Sequence, residues 1–71
     1  MSKKTSKIFG ANIRALRLKK GWTQEVLAEK AGVSRNYVYF VEVGRTSPTI
    51  DYIPYFAKAL GVPPGRLFKG M

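Results

Sequence analysis

Apolar positions recur along this chain at helical spacing. Phe9, Ile13 and Leu16 follow one another at i, i+4 and i+7, which forms a single apolar stripe on a helix. We expect this first helix to cover about residues 6–19, with Ser6 as a candidate N-cap. The pattern therefore predicts an amphipathic helix whose apolar face packs against the rest of the domain.

Two shorter helices follow, separated by a glycine turn. Thr23 precedes the second helix and Ser34 precedes the third, and both residues carry hydroxyls suited to cap a helix N-terminus. Gly32 and Gly44 stand where these helices are expected to end, because glycine accepts the left-handed conformation of a C-terminal cap. The inner face of the second helix would consist of Leu27, Ala28 and Ala31.

A fourth helix is predicted to end at Leu60, and a proline decides where it begins. Thr49 and Asp51 are both candidate caps. Asp51 is preferred, because Pro54 then lies in the first turn, where backbone N–H groups lack helical partners. The segment GVPPGRLF, residues 61–68, ends the helix and permits one short final turn. The expected inner face is Ile50, Ile53, Ala57 and Leu60.

The segment YVYFVEV, residues 37–43, is rich in β-branched and aromatic residues, which favour strands. It does not alternate as a strand would, however, and it lies between the cap Ser34 and the stop Gly44. We therefore predict a helix, on which Val38 and Val41 lie together on one side. A second stripe at i, i+3, i+4 and i+7 is left over on this helix: Asn36, Tyr39, Phe40 and Val43.

Composition narrows the function classes. The 71 residues suit one small domain, and they include no Cys and no His, which excludes disulfides and thiolate or imidazole metal sites. We expect no cofactor and no metal. We also expect that the protein is not an enzyme, because no two of its four acidic residues are spaced to act together as a catalytic carboxylate pair. No apolar run approaches the roughly 18 residues of a membrane span, and no apolar segment follows the charged MSKKTSK as in a signal peptide, so a cytoplasmic protein is expected.

Charge indicates the partner. Thirteen Lys and Arg residues against four acidic residues give a net charge of +9, and residues 1–20 contain no acid. A domain this basic suits a polyanion, with nucleic acid first and an anionic membrane surface second. Residues 1–6 are polar, and we expect them to form a flexible basic tail before a domain at residues 7–71.

A helix, a glycine turn and a second helix in a basic domain form the helix-turn-helix pattern. The segments TQEVLAEKAGVSRNYVYFVEVGR and FAKALGV resemble the phage-repressor-like, xenobiotic-response-element-type helix-turn-helix family, which includes phage repressor and Cro proteins and restriction–modification controller proteins. The resemblance covers residues 8–68. It implies an all-α, lambda-repressor-like DNA-binding domain, a compact bundle of four or five helices with the helix-turn-helix at residues 23–44. The positions that carry it are Gln24, Ala28, Gly32, Ser34, Glu42 and Gly44.

The resemblance implies a sequence-specific transcriptional regulator that binds double-stranded DNA. Small members of this family are usually homodimers on pseudo-palindromic operators, so we expect a homodimeric repressor of prokaryotic or phage origin. Autoregulation and the role of a restriction–modification controller both fit this expectation. The alternative is a protein-interaction module, such as the DNA-binding subunit of an antitoxin, which would act mainly through a partner protein.

Base-reading residues are expected at the start of the third helix, residues 34–44, which would enter the major groove. Arg35 is the preferred base contact, because its guanidinium group matches the N7 and O6 acceptors of guanine. Asn36 would bind an adenine or a phosphate. Ser34 would contribute a base contact or only the helix cap.

Tyr39, Phe40 and Val43 depart from the family pattern, in which polar or charged residues usually occupy this face. In one account these side chains contact thymine methyl groups and sugars, with the Tyr39 hydroxyl free to form a hydrogen bond. In the other, the helix is rotated or tilted, and Phe40 or Val43 covers part of the core or a partner. The first account predicts a preference for thymine-containing steps.

Phosphate contacts are expected on both sides of this helix. The resemblance implies that Gln24 binds a phosphate and braces the reading helix, and a helix N-terminus is suited to an anion. Further phosphate-contact candidates are Thr23, Tyr37, Arg45, Thr46 and Ser47. The cations expected either to follow DNA as an arm or to remain solvated are Lys3, Lys4 and Lys7.

The resemblance also implies a structural ion pair between Arg17 and Glu42, since a partly buried charge needs a partner.

The candidates for a dimer interface are Tyr52, Tyr55, Val62, Pro63 and Phe68. In the alternative, Phe68 and Leu67 close the core of the monomer, and Tyr52 and Tyr55 are simply exposed.

Overall fold

The computed structural model describes residues 2–70, and the regular structure in this range is entirely helical, as predicted. Met1 of the expected tail and Met71 of the expected domain lie outside the described residues. No helix between residues 2 and 70 is long and apolar enough to cross a membrane. The elements are α1 (Lys3–Lys19), α2 (Gln24–Ala31), α3 (Arg35–Glu42), α4 (Ile53–Leu60) and a final 3₁₀ turn (Pro64–Phe68).

The ends of α2 and α3 agree with the sequence-based assignment. Thr23 Oγ1 accepts a hydrogen bond from the Val26 backbone N–H at 3.1 Å. Ser34 Oγ accepts one from the Tyr37 backbone N–H, also at 3.1 Å. Gly32 takes the left-handed conformation, with φ of 73°, and so turns the chain from α2 into α3.

The core lies where α3 crosses α1 and α2, with α4 packed on α2 and the final turn packed on α1 and α4. Val38 and Val41 of α3 are fully buried there, so the helix assignment and its inward face are confirmed. Leu67 is also fully buried and closes the core from the final turn. The other large buried side chains are Phe9, Ile13, Leu16, Leu27, Phe56 and Leu60.

The start of α1 differs from the prediction. Ser2, not Ser6, caps the helix, and its Oγ accepts a hydrogen bond from the Thr5 backbone N–H at 3.1 Å. Ser6 is buried inside α1, with its Oγ 2.7 Å from Ser47 Oγ. The prediction of Ser6 as the cap was therefore wrong. Residues 3–6 form the first turn of α1 instead of a tail.

The start of α4 also differs. Tyr52 occupies the N-cap position and forms no side-chain capping bond, so the assignment of Asp51 as cap was wrong. The Tyr52 ring lies 5.1 Å from the Tyr37 ring, and this aromatic contact ties the beginning of α4 to α3. Ile50 lies outside the helix and is 81% exposed, so its expected place on the inner face was wrong, whereas Phe56, which was not expected there, is fully buried.

Gly10 permits α1 to approach α3 closely. A Cβ atom at this position would lie 2.0 Å from the Val41 carbonyl oxygen and 2.8 Å from the Glu42 carbonyl oxygen. Both are backbone atoms, so rotation of a side chain cannot relieve the overlap. The distance between α1 and α3 therefore depends on the absence of a side chain at residue 10.

Candidate nucleic-acid interface

A buried ion pair fixes the end of α3 to α1. Arg17 Nε donates to Glu42 Oε2 at 2.7 Å, and Arg17 Nη2 donates to Glu42 Oε1 at 2.9 Å. The remaining nitrogen, Nη1, donates to the Trp22 carbonyl oxygen at 2.7 Å. The Arg17 side chain is 9% exposed and the Glu42 side chain 1%, so the bidentate pair is largely shielded from water. Glu42 is therefore a structural residue, as the resemblance implied.

Gln24 joins this network from the first turn of α2. Its Nε2 donates to Glu42 Oε1 at 3.1 Å, so the side chain braces α3 against α2. The start of α2 and Arg35 border a shared cleft, and a helix N-terminus beside a cation suits an anionic group. The cleft is lined by Arg17, Thr23, Gln24, Glu25 and Arg35.

The first turn of α3 presents two exposed polar side chains, Arg35 and Asn36. Ser34 uses its hydroxyl oxygen to cap the helix, which leaves its hydroxyl hydrogen free to donate. A guanidinium group and a carboxamide on the first turn of a solvent-facing helix can form paired hydrogen bonds with base edges.

The rest of the solvent-facing side of α3 is apolar. Tyr39 is 45% exposed, and Phe40 and Val43 are each 40% exposed. The rings of Tyr39 and Phe40 meet edge to face, with their centroids 5.6 Å apart. The Arg45 guanidinium carbon lies 5.6 Å from the centroid of the Phe40 ring, a cation–π contact. We call Tyr39, Phe40 and Val43 the apolar stripe.

The loop after α3 is held against α1. Gly44 contacts Lys7 so closely that a Cβ atom would lie 2.9 Å from the Lys7 Cα atom. Together with the Ser6–Ser47 hydrogen bond, this contact brings the first turn of α1 beside the loop. A shallow cleft between them is lined by Lys3, Ser6, Gly44, Arg45, Thr46 and Ser47. Lys3 thus joins the loop candidates, which the sequence alone did not reveal.

Tyr37, which was expected to contact a phosphate, has its hydroxyl turned into the protein. Its hydroxyl oxygen is buried and has no hydrogen-bond partner within residues 2–70. The ring lies 5.1 Å from that of Tyr52 and 6.2 Å from that of Phe56. Burial raises the pKa of the Tyr37 hydroxyl above 10.0, and the nearby backbone of Thr49 opposes that shift without forming a hydrogen bond of good geometry.

The dimer-interface candidates fall into two groups. Tyr55 is 52% exposed and lies edge to face with the half-buried Tyr52. Together with Ile50 they border a shallow cleft at the start of α4. Phe68 instead packs on Phe9, with ring centroids 5.2 Å apart, and half-buried Val62 packs on the same core, whereas Pro63 is exposed.

Two further contacts were not foreseen from the sequence. Trp22 lies between Lys20 and Lys30, whose Nζ atoms are 5.1 and 5.0 Å from the ring centroid. Asn12 Nδ2 donates to the carbonyl oxygens of Leu67 and Lys69, at 2.9 and 2.8 Å. The first contact closes the turn between α1 and α2, and the second attaches the final turn to α1. The approach of Lys30 to Trp22 and of Asn12 to the final turn has no local sequence signal, because the fold brings these residues together.

Comparison with known proteins agrees with this arrangement. The profile of a family described as helix-turn-helix matches residues 13–67. An uncharacterized HTH-type transcriptional regulator of Sinorhizobium fredii, y4dJ, is 41% identical over 56 residues, which cover 79% of this chain and 73% of the relative. The control protein C.BamHI of Bacillus amyloliquefaciens is 38% identical over 61 residues, 84% of this chain and 75% of the relative.

A solved structure has the same fold. The restriction–modification controller protein C.AhdI from Aeromonas hydrophila superimposes with a TM-score of 0.86 and is 40% identical in sequence. The match covers 89% of this chain and 96% of that chain.

Proposed function

The chain belongs to the helix-turn-helix family, and from this premise we propose that it is a sequence-specific transcriptional regulator that binds double-stranded DNA with α3 in the major groove. One observation carries the proposal. The side of α3 that the Arg17–Glu42 pair leaves facing solvent begins with Arg35 and Asn36, in a domain of net charge +9. A rigidly held helix with polar groups on its exposed first turn suits readout of base edges.

Each part of this surface has a proposed role. Arg35 would bind guanine through N7 and O6, and Asn36 would bind an adenine or a phosphate, with Ser34 beside them. Since these side chains project from a helix whose position is fixed, phosphate contacts on either side would set the depth of insertion. The proposed phosphate contacts are Thr23, Gln24, Arg45, Thr46 and Ser47.

The proposed regulator is a homodimeric cytoplasmic repressor. Two copies would place their α3 helices about 34 Å apart, one turn of DNA, on a pseudo-palindromic operator. The cleft bordered by Ile50, Tyr52 and Tyr55 supports a contact between copies, because it groups the exposed Ile50 and Tyr55 with the half-buried Tyr52 on a surface away from α3. Val62, Pro63 and Phe68 would lie at its margin if the interface extends to the final turn. Binding would exclude RNA polymerase from the promoter.

The experiment is selection of binding sites from random duplex DNA at about 0.15 M salt. We expect an enriched pseudo-palindrome for the wild-type protein and loss of one guanine position for Arg35→Ala. Arg66→Ala, in the final turn, removes the same charge elsewhere and should enrich the unaltered operator. Tyr55→Arg should enrich single half-sites, because it would separate the copies.

The contradicting result is equally specific. Binding that depends only on salt, with no enriched sequence, would exclude a sequence-specific regulator. It would favour the alternative of a DNA-binding subunit that acts mainly through a partner protein.

A further inference from the structure

The apolar stripe is an unusual surface for so basic a domain. Thirteen of the 71 residues are Lys or Arg, yet Tyr39 and Phe40 of α3 and its C-cap residue Val43 place three partly exposed apolar side chains side by side. Base edges in the major groove offer mainly hydrogen-bonding groups, and these side chains, apart from the Tyr39 hydroxyl, cannot pair with them. The stripe therefore needs a partner of different chemistry.

The stripe is not a displaced part of the core. Val38 and Val41, on the opposite side of α3, are already fully buried. A rotation of α3 that buried Phe40 would bring those valines toward water and would break the ion pair made by Glu42. The stripe faces outward because the other side of the helix is already filled.

The surroundings of the stripe indicate a polyanion instead of a second copy of this chain. Arg35 is exposed at the N-terminal end of the stripe, and Arg45 lies over the Phe40 ring at the other end. Two copies meeting through this surface would bring together the Arg35 and Arg45 cations that each copy carries beside the stripe. Cations beside an apolar patch suit DNA, in which phosphates flank the groove.

The major groove contains one apolar group, the C5-methyl group of thymine. We propose that the apolar stripe reads thymine by burying this methyl group, chiefly against Phe40 and Val43. The proposal rests on the proposed function, since it requires α3 to lie in the major groove. It adds that part of the sequence specificity comes from apolar contact with thymine methyl groups, while Arg35 recognises guanine through hydrogen bonds.

The Arg45 contact helps such reading. A guanidinium group over one face of the Phe40 ring limits the motion of that ring and remains free to approach a phosphate with its other N–H groups. The Tyr39 ring restricts Phe40 from a second direction. The stripe therefore presents a partly ordered apolar surface, which loses less side-chain entropy on binding than a freely rotating ring would.

The test replaces single thymines of the selected operator with deoxyuridine, which removes only the methyl group and leaves base pairing intact. Burying one methyl group contributes about a fourfold change in affinity, so Kd should rise about fourfold at one or two thymines of each half-site. Substitution at the remaining thymines should leave Kd unchanged. Replacing a sensitive thymine with cytosine should weaken binding, and 5-methylcytosine at the same position should recover part of the loss.

A variant of the stripe locates the contact. In Phe40→Ala, the uridine effect should disappear at the thymine whose methyl group contacts Phe40, and in Val43→Ala it should disappear at the thymine whose methyl group contacts Val43; if one thymine contacts both, each variant should reduce the effect there. Arg35→Ala is the matched control, because it should weaken binding and keep every uridine effect. Circular dichroism of each variant establishes that the helices are intact.

Two outcomes would overturn the proposal, and they are distinguishable. If a specific operator is enriched but every uridine-substituted version binds like the parent, methyl reading is wrong and the proposed regulator function stands. If no operator is enriched from random DNA, the proposed function and methyl reading both fail.

Discussion

The two sides of α3 carry similar side chains and lie in opposite surroundings. On the inner side, Val38 and Val41 are completely buried, and on the outer side Phe40 and Val43 are 40% exposed. Only the inner side contains a carboxylate, that of Glu42, which is held by two hydrogen bonds from Arg17. The usual division into an apolar inside and a polar outside is therefore partly reversed in this helix.

This difference shows that hydrophobicity alone does not distinguish a packing face from a recognition face. The two sides of α3 differ in how many of their side chains are covered by other parts of the chain. The inner side meets α1 and α2, and even its charge is paired there. On the outer side, Phe40 contacts Tyr39 and Arg45, but none of the other described helices covers this side. A partner for it therefore has to be another molecule.

The largest expected loss of stability comes from breaking the Arg17–Glu42 ion pair on the inner side of α3. Arg17→Met would leave Glu42 buried without its main partner, and we expect the free energy of unfolding to fall by about 3–5 kcal/mol. Urea denaturation followed by circular dichroism measures this loss.

The double variant Arg17→Met/Glu42→Leu is the control for that prediction. Because it removes both charges, it should recover much of the stability. A single variant as stable as the wild type would mean that the pair does not anchor α3.

Two valines two residues apart test the comparison directly. Val41→Ala removes fully buried methyl groups and should lower the free energy of unfolding by about 2 kcal/mol. Val43→Ala makes the same change at a half-exposed position and should alter stability by at most about 0.5 kcal/mol. Thermal unfolding of the two variants side by side gives the difference, and equal losses would mean that both sides belong to the core.

The smallest expected effect concerns the buried Tyr37 hydroxyl. Tyr37→Phe removes an unpaired polar group, so stability at neutral pH should stay the same or rise by up to about 1 kcal/mol. The raised pKa of Tyr37 means that the folded state disfavours the phenolate. Its contribution to stability is therefore complete below the unfolded pKa of 10.0 and is lost as pH rises through the higher folded pKa.

Urea denaturation between about pH 8 and pH 11 checks this last prediction. The wild type should lose stability relative to the Phe variant as pH rises above that unfolded pKa. Parallel curves for the two proteins would show that the hydroxyl does not stay buried.

Local signals made much of the fold predictable. The caps at Thr23 and Ser34 close within three residues, so side-chain chemistry at those positions decides them. Ser6 has the same chemistry and does not cap, because it binds Ser47, 41 residues away. Ile50 fits the spacing of α4 equally well and lies in solvent, since the Tyr37–Tyr52 contact decides where α4 begins.

In the candidate site, too, features set by neighbouring residues were predictable and features set by distant residues were not. Arg35 and Asn36 follow a cap, so their exposure on the first turn of α3 was predictable. The inward position of the Tyr37 hydroxyl was not, because it depends on aromatic rings contributed by α4. Neither was the approach of Lys3 to the loop after α3, which depends on the length of α1.

The missing side chain at Gly10 has an evolutionary consequence. Any side chain at residue 10 would overlap the backbone of α3, whereas the apolar stripe lies on the surface, where substitutions change stability much less. A lineage carrying this domain could therefore change its preferred DNA sequence by substitutions at residues 39, 40 and 43 while the spacing of its helices stays constant. DNA sequence preference would change through the outer surface of α3, while the packing of its inner side against α1 would stay the same.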